Sequence, residues 1–473
     1  MESDEKGGMM QHTYVLRKAI VPTAVLLVGL VVASLLGVAK LSPSAGGQTT
    51  ENMAIRWNGF ASTAIIAAAP AGAGQSPQAA VLSLAMVQGA VFDAVNAIDG
   101  GYEPYLVAPD ADPDDSKEAA VATAAFRVLV GFPAATPPLA GVVPAGQLSA
   151  LQSLYDASLA EVSDGPEKTG GIEVGEAAAS AMLTERLNDG RGGSFKFAAG
   201  TDPGEWRLGP PQGPNGTVAQ DPAPWVGFVR PFIVPDVHML RTDGPNAVTS
   251  AAYAADFNEV KELGSLTSTT RTADQTAAAI FWQDHGIAIW NRVYRSLALG
   301  RGLDIVDSAR LFAMTNLAGA DALIGCWNDK AYWGFWRPIT AIREAAGDGN
   351  PATQAVANWV PLFDPTVAVS GPPLVTPGFP DHPSGHTCVS SATVRTLQEF
   401  FGTDKVSFTA ISNKCSPAPC PGRTFDRFSD AIKEVIGARI WSGIHFRTAD
   451  VQGAVLGKKV AHYLEKHYFQ PVD

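Results

Sequence analysis

The sequence predicts an all-α fold of two adjoining helical bundles with long loops over one end. Three observations carry this. Long stretches rich in Ala, Leu and Val place their apolar residues with helical spacing. Few stretches alternate with the period of two that a half-buried strand shows. Segments rich in Pro and Gly separate the periodic stretches, as loops between helices do.

The elements follow in order. Residues 1–49 form a leader and linker. Within them, residues 20–39 (IVPTAVLLVGLVVASLLGVA) run twenty residues without a charge, after Arg17 and Lys18 and before Lys40. That length can cross a bilayer. Gly37-Val38-Ala39 also offers a small-residue cleavage site, so a membrane anchor and a cleaved signal both stay open. Either one places the rest of the chain outside the cytoplasm, secreted or anchored through this segment. Residues 50–236 form the first bundle and its loop. Helices are expected over 79–98, 118–130 and 172–188, the last stopped by Asn188-Asp189-Gly190. Residues 202–236, rich in Pro, Gly and Trp, form a long ordered loop. Residues 237–473 form the second bundle, with helices over 271–299, 305–330, 386–402, 426–441 and 449–467 and a Pro/Gly-rich loop over 344–383.

Bulk composition narrows the functional classes. The chain of 473 residues is 46% hydrophobic and only 17% charged, enough to build a large core. A formal charge of −12 excludes a general nucleic-acid-binding surface. Cys415 and Cys420 flank a Ser-Pro-Ala-Pro loop and can pair in an oxidising compartment. Cys326 and Cys388 lie in apolar helical text and read as core residues.

Against this background, cations in apolar text are informative. Lys330 and Arg337 are seven residues apart, which on one helix is two turns and one face. Trp327 lies one turn before Lys330. Buried cations need a counter-anion. The run Pro380-Asp381-His382-Pro383-Ser384-Gly385-His386 opens the next apolar helix, with Ser384 at its N-cap. A helix N-terminus offers free N–H groups to an anion, and Gly385 permits close approach. His386 adds a proton carrier. Arg439 closes a third helix, and Gly443 is expected to break it and re-aim His445. Each piece taken alone also fits a plain reading: snorkelling cations, a capped helix, a core histidine. His382 is expected at the entrance or facing solvent. His462 and His467 fit the core-histidine reading better than His445 does.

The pattern Lys-x6-Arg-Pro, Pro-Ser-Gly-His and Arg-x5-His, in that order, resembles the superfamily joining type 2 phosphatidic acid phosphatases and vanadium-dependent haloperoxidases. The resemblance covers residues ~280–460 and is closest to vanadium chloroperoxidase-like proteins. It implies that Lys330, Arg337 and Arg439 neutralise the equatorial oxygens of vanadate or phosphate, with Ser384 and the Gly385 N–H as donors. It makes His386 the acid/base and His445 the vanadium ligand or the nucleophile toward phosphorus. Trp327 and Phe379 stand where chloroperoxidases carry halide-side aromatics. Asp284, in Phe281-Trp282-Gln283-Asp284, resembles an aspartate that pairs with an anion-site arginine, here Arg439 or Arg337.

Two departures bear on the chemistry. Ala438 replaces a serine before the third-motif arginine. The family's aspartate four residues after the axial histidine is Ala449 here, with Asp450 one step on. A displaced aspartate weakens a phospho-histidine hydrolase more than a peroxidase. The resemblance therefore implies an exported haloperoxidase that holds vanadate and uses hydrogen peroxide, halide and a small organic acceptor. A phosphatase working through phospho-His445 is the alternative. A non-catalytic phosphate-binding helical protein is a third, of another class.

Overall fold

Six helices begin where a Ser, Thr, Asn or Asp side chain accepts a hydrogen bond from the first turn. These caps are Asn52, Ser76, Ser116, Ser250, Thr272 and Asp304. Thr272 and Gln275 form a full capping box. The computed structural model describes residues 51–67, 75–136 and 138–472; the apolar segment 20–39 lies outside the described residues.

The described residues hold thirteen α-helices. The first five are α1 (Met53–Ile66), α2 (Pro77–Asp99), α3 (Lys117–Val130), α4 (Leu148–Ala160) and α5 (Pro166–Glu185). After the long loop come α6 (Ala251–Leu263), α7 (Ala273–Phe281), α8 (Gly286–Arg301), α9 (Ile305–Trp333) and α10 (Pro338–Glu344). The last three are α11 (Gly385–Phe400), α12 (Phe428–Trp441) and α13 (Arg447–His467). Two small antiparallel pairs and four short 3-10 helices complete the regular structure among the described residues. Gly131–Phe132 pairs with Leu139–Ala140, and Phe408–Ala410 pairs with Arg423–Phe425. The fold is all-α as the spacing predicts.

The main core runs from α1 to the residues after α13, so both expected bundles contribute to it. Helix α2 is apolar and long enough to cross a membrane, yet it is buried on nearly every side against α3, α5 and α9. A side chain such as Leu84 or Phe92 on it contributes about 1.5–3 kcal/mol by leaving water. Helix α9 continues from this core to α11, and α11 packs along α13. These three helices carry the ends from which the site is built.

The structure departs from the sequence reading in two instructive places. The expected helix over 271–299 breaks at residues 282–285, because Asp284 accepts the backbone N–H groups of His285 and Asn413 in place of helical bonds. Helix α9 stops at Trp333 on Gly334, a left-handed C-cap with φ 51°. Lys330 and Arg337 therefore lie on different elements, not on one helical face. Gly334 and Pro338 were the signals for that stop and restart. Helices α1, α4, α6 and α10 were not among the expected elements.

Candidate active site

Lys330 lies in the last turn of α9 and is completely buried. Its ammonium donates to the carbonyl oxygens of Pro380 (2.7 Å), Asp381 (3.0 Å) and Pro383 (2.5 Å). All three donors thus fasten one loop, the loop that presents Ser384. Burial pushes its pKa down to about 8.

Arg337 precedes α10 and fastens two neighbouring segments. Its Nε donates to Phe379 O (2.8 Å) and its Nη1 to Ile444 O (2.7 Å). Nη1 also lies 3.1 Å from His445 Nε2, and Nη2 has no partner. Arg439, in the last turn of α12, is buried with Nε and Nη1 unpartnered. Burial pushes both arginines down, Arg337 to about 10 and Arg439 to about 9, with Asp381 and Asp450 respectively opposing the shift.

Ser384 occupies the N-cap position of α11, but its hydroxyl caps nothing. Its N–H donates to Ala449 O (2.9 Å), and its buried Oγ makes no well-formed hydrogen bond. The hydroxyl faces the Asp450 carboxyl, whose pKa burial raises far more than Ser384 and Arg439 lower it. Gly385 is required for a different reason from anion access. A Cβ there would stand 2.7 Å from Trp327 Cζ3.

Gly443, at φ 77°, turns the chain after α12 and brings His445 back to the arginines. His445 Nδ1 lies 2.9 Å from Asp381 Oδ1. Burial raises Asp381 to about 7, against the pull of Arg337 and Lys330. Burial and the surrounding cations hold His445 and His386 well below the ordinary histidine range, so both imidazoles are neutral at pH 7. His386, Gly385, Arg439, His445, Trp327 and Phe379 all border one cavity of about 290 Å³. The Trp327 and Phe379 rings touch at 4.9 Å between centroids, and Trp327 Nε1 donates to Asp221 Oδ2 (2.8 Å) in the long loop.

Buried donors normally have partners. Here Arg337 Nη2, Arg439 Nε and Nη1 and Ser384 Oγ have none, although the Asp381 carboxyl, 3.9 Å from Arg337 Nη1, and Asp450 offset part of the burial of the two arginines. That donor set fits a tetrahedral or trigonal-bipyramidal oxyanion such as phosphate or vanadate.

Comparison with known proteins agrees with this architecture. Residues 310–473 match the family model of the VCPO second helical-bundle domain. Vanadium chloroperoxidase of Curvularia inaequalis is 27% identical over 215 residues, covering 40% of this chain and 34% of that protein. The aligned part thus spans about a third of that relative's length. A bacterial vanadium-dependent iodoperoxidase superposes with a TM-score of 0.70 at 21% identity, covering 90% of this chain and 99% of that one. An apo-type bacterial vanadium-dependent chloroperoxidase superposes with 0.63 at 16% identity, covering 84% and 95%. This is the vanadium haloperoxidase fold.

Within the vanadium haloperoxidase fold the three sequence motifs meet at one place, but some expected neighbours do not join them. Asp284 pairs with Arg292 at 2.9 Å, not with Arg439 or Arg337. Arg292 lies two turns along α8 from the turn that holds Asp284, so this local pair forms first in reach. His382 is fully buried and 3.0 Å from Thr242 Oγ1, rather than at an entrance. His462 and His467 are exposed on α13 and are not core residues. Asp381 is a neighbour of His445 that the motifs do not single out. Its signal was an acid three residues before Ser384, inside a motif otherwise made of Pro, Gly and His.

Proposed function

We propose that this protein is a vanadium-dependent haloperoxidase, oxidising halide with hydrogen peroxide to hypohalous acid for a small organic acceptor. The observation that carries the reading is the set of unpartnered buried donors on Arg337, Arg439 and Ser384, with His445 lying between Arg337 Nη1 (3.1 Å) and Asp381 Oδ1 (2.9 Å). Bound vanadate would supply the Lewis-acidic centre that activates peroxide toward halide.

The chain's residues then have distinct parts. Asp381, 2.9 Å from Nδ1 of His445, favours a proton on that nitrogen, so His445 would hold vanadate through Nε2, which in the free protein faces Arg337 Nη1. Arg337, Arg439, Ser384 and the Gly385 N–H would hold the oxygens of the oxyanion. Lys330 adds its charge from behind while fastening the loop. Neutral His386, on the cavity wall, would be the group that accepts and returns a proton there. Trp327 and Phe379 form an apolar wall that sheds water from an arriving halide.

A second reading, a phosphatase using phospho-His445, is favoured by one observation. Asp381 gives His445 the carboxylate partner that the displaced Asp450 does not supply. One assay separates the readings. The purified chain receives orthovanadate, peroxide and bromide or iodide with a 1,3-dione chromophore. Halogenation that disappears in His445→Ala supports the haloperoxidase. Hydrolysis of p-nitrophenyl phosphate without halogenation supports the phosphatase. Phosphate binding with neither activity leaves a non-catalytic anion-binding protein.

Export belongs to the same proposal. The apolar segment 20–39 and the Cys415–Cys420 disulfide both suit an oxidising compartment outside the cytoplasm. Fractionation of cells carrying the tagged chain tests it, and recovery in the cytosol alone would sink it.

A further inference from the structure

The turn between α7 and α8 places two more polar side chains on the cavity, Gln283 and His285. Gln283 Nε2 and both ring nitrogens of His285 are buried without a hydrogen-bond partner. Neither side chain supports the turn. His285 sits at the N-cap position of α8 and caps nothing. The turn is held by backbone bonds, such as Gln283 N–H to Ile280 O and Ala288 N–H to His285 O, and by the Asp284 side chain, through Arg292, its neighbour's N–H and Asn413 N–H. An unpartnered buried polar atom costs about 1–3 kcal/mol. Where such atoms border a cavity, they are contacts for what enters it.

The same cavity is bordered by Trp290, Phe363, Pro373, Leu374 and Val375, all apolar. A cavity of about 150 Å³ suffices for benzene, and this one is about 290 Å³. It has room for a substituted ring beside the oxyanion donors. The groups that face His285 are Asp284 and Arg292 on its own turn and helix, His386 on α11, and Lys414 on the disulfide loop across the cavity. Burial outweighs Asp284 and pushes His285 down to about 4, so its imidazole is neutral at pH 7. A neutral imidazole accepts at one nitrogen, and the Gln283 amide donates. A phenolic or enolic hydroxyl both donates and accepts, and its carbon frame is flat and apolar.

We propose that the cavity binds the organic acceptor itself, a phenol or enol whose hydroxyl donates to His285 and accepts from Gln283 while its ring packs on the apolar wall. This rests on the haloperoxidase reading for its halogen source. Hypohalous acid formed beside His445 then meets a held ring. A ring carbon ortho or para to the hydroxyl takes the halogen as the halogen–oxygen bond breaks, and the hydroxide leaves with the displaced ring proton as water. His285 takes the hydroxyl proton as charge builds on the ring and returns it when the ring proton departs.

The test is a binding measurement that needs no vanadate, peroxide or halide. The purified chain is titrated with p-cresol and followed by saturation-transfer NMR. Saturable binding is expected, weakened about tenfold in His285→Phe, the factor for one lost hydrogen bond. The methyl ether p-methylanisole, which cannot donate, should bind the unaltered protein about tenfold more weakly than p-cresol. That comparison stands even if the variant fails to fold. No saturable binding of p-cresol, or equal binding of phenol and ether, overturns the proposal. Halide oxidation without p-cresol binding defeats this inference alone. Binding of p-cresol without halide oxidation defeats the haloperoxidase reading and leaves the phenol site standing.

Discussion

Asp381 Oδ1 stands 2.9 Å from Nδ1 of His445, and both side chains are buried among three cations. An ionised Asp381 favours a proton on Nδ1, and Nε2 faces Arg337 Nη1 at 3.1 Å. Asp381→Asn keeps the shape but removes the charge. Losing such a supporting carboxylate lowers metal-oxyanion affinity by about 10–100-fold. Calorimetric titration with orthovanadate measures this, with circular dichroism checking the fold. Unchanged affinity would show that Asp381 does not position His445.

Lys330 and Arg439 are both buried cations, yet they should respond oppositely to neutralisation. Lys330 satisfies three carbonyls of one loop, so Lys330→Met strands them and should cost at least about 3 kcal/mol. Arg439 leaves Nε and Nη1 unpartnered, so Arg439→Met should cost less than about 1 kcal/mol or stabilise the free protein. Urea unfolding compares the two. Arg439→Met should nevertheless lose oxyanion binding.

Sulfate affinity should fall as pH rises from about 7, since sulfate keeps its charge over this range. Asp381 gains a negative charge as pH passes about 7, and Lys330 loses its positive charge as pH passes about 8. Both changes act against an anion. Asp381→Asn should remove the first step of the decline and leave the second. The sign for stability follows from the same shift. The folded-state pKa of Asp381 is raised from 3.8, so its stabilising effect is full below 3.8 and is lost as pH rises through about 7. A sulfate affinity that holds steady from pH 6 to 9 would contradict the assignment.

The motif residues were legible because each carries its chemistry in its type and spacing. Gly443 announced the turn that aims His445, and the Pro-Ser-Gly-His run announced the start of α11. What could not be read was how the motifs bond to each other. Lys330 looks like an anion ligand in sequence, but its three donors go to a loop fifty residues away. Asp284 looked like a partner for the site arginines, but Arg292 is closer along the chain. Asp381 was visible only as one letter among Pro and His, since its partner is supplied by a helix end 64 positions later. The helical stretches 118–130 and 426–441 were legible from periodicity. Helix α6, with Asp256, Asn258 and Glu259 among its apolar residues, was not.

Ser384 and Gly385 are adjacent, but their replacement by Ala should separate binding from packing. The buried Ser384 hydroxyl caps no N–H and has no well-formed partner, so Ser384→Ala should cost no more than about 1 kcal/mol. It should still weaken sulfate or vanadate about tenfold, because the hydroxyl, beside the Asp450 carboxyl, has no well-formed hydrogen bond of its own to lose. Gly385→Ala meets the Trp327 ring at 2.7 Å. That ring is rigid, backed by Phe379 and held through Nε1 to Asp221, so it cannot give way at a flexible end. Overpacking of this kind costs about 1–3 kcal/mol. A lowered melting temperature is expected, together with a changed halide dependence as Trp327 shifts. A Gly385→Ala protein with unaltered melting and halide response would show that Trp327 can move freely, and the apolar wall would lose its assigned part in shedding halide water.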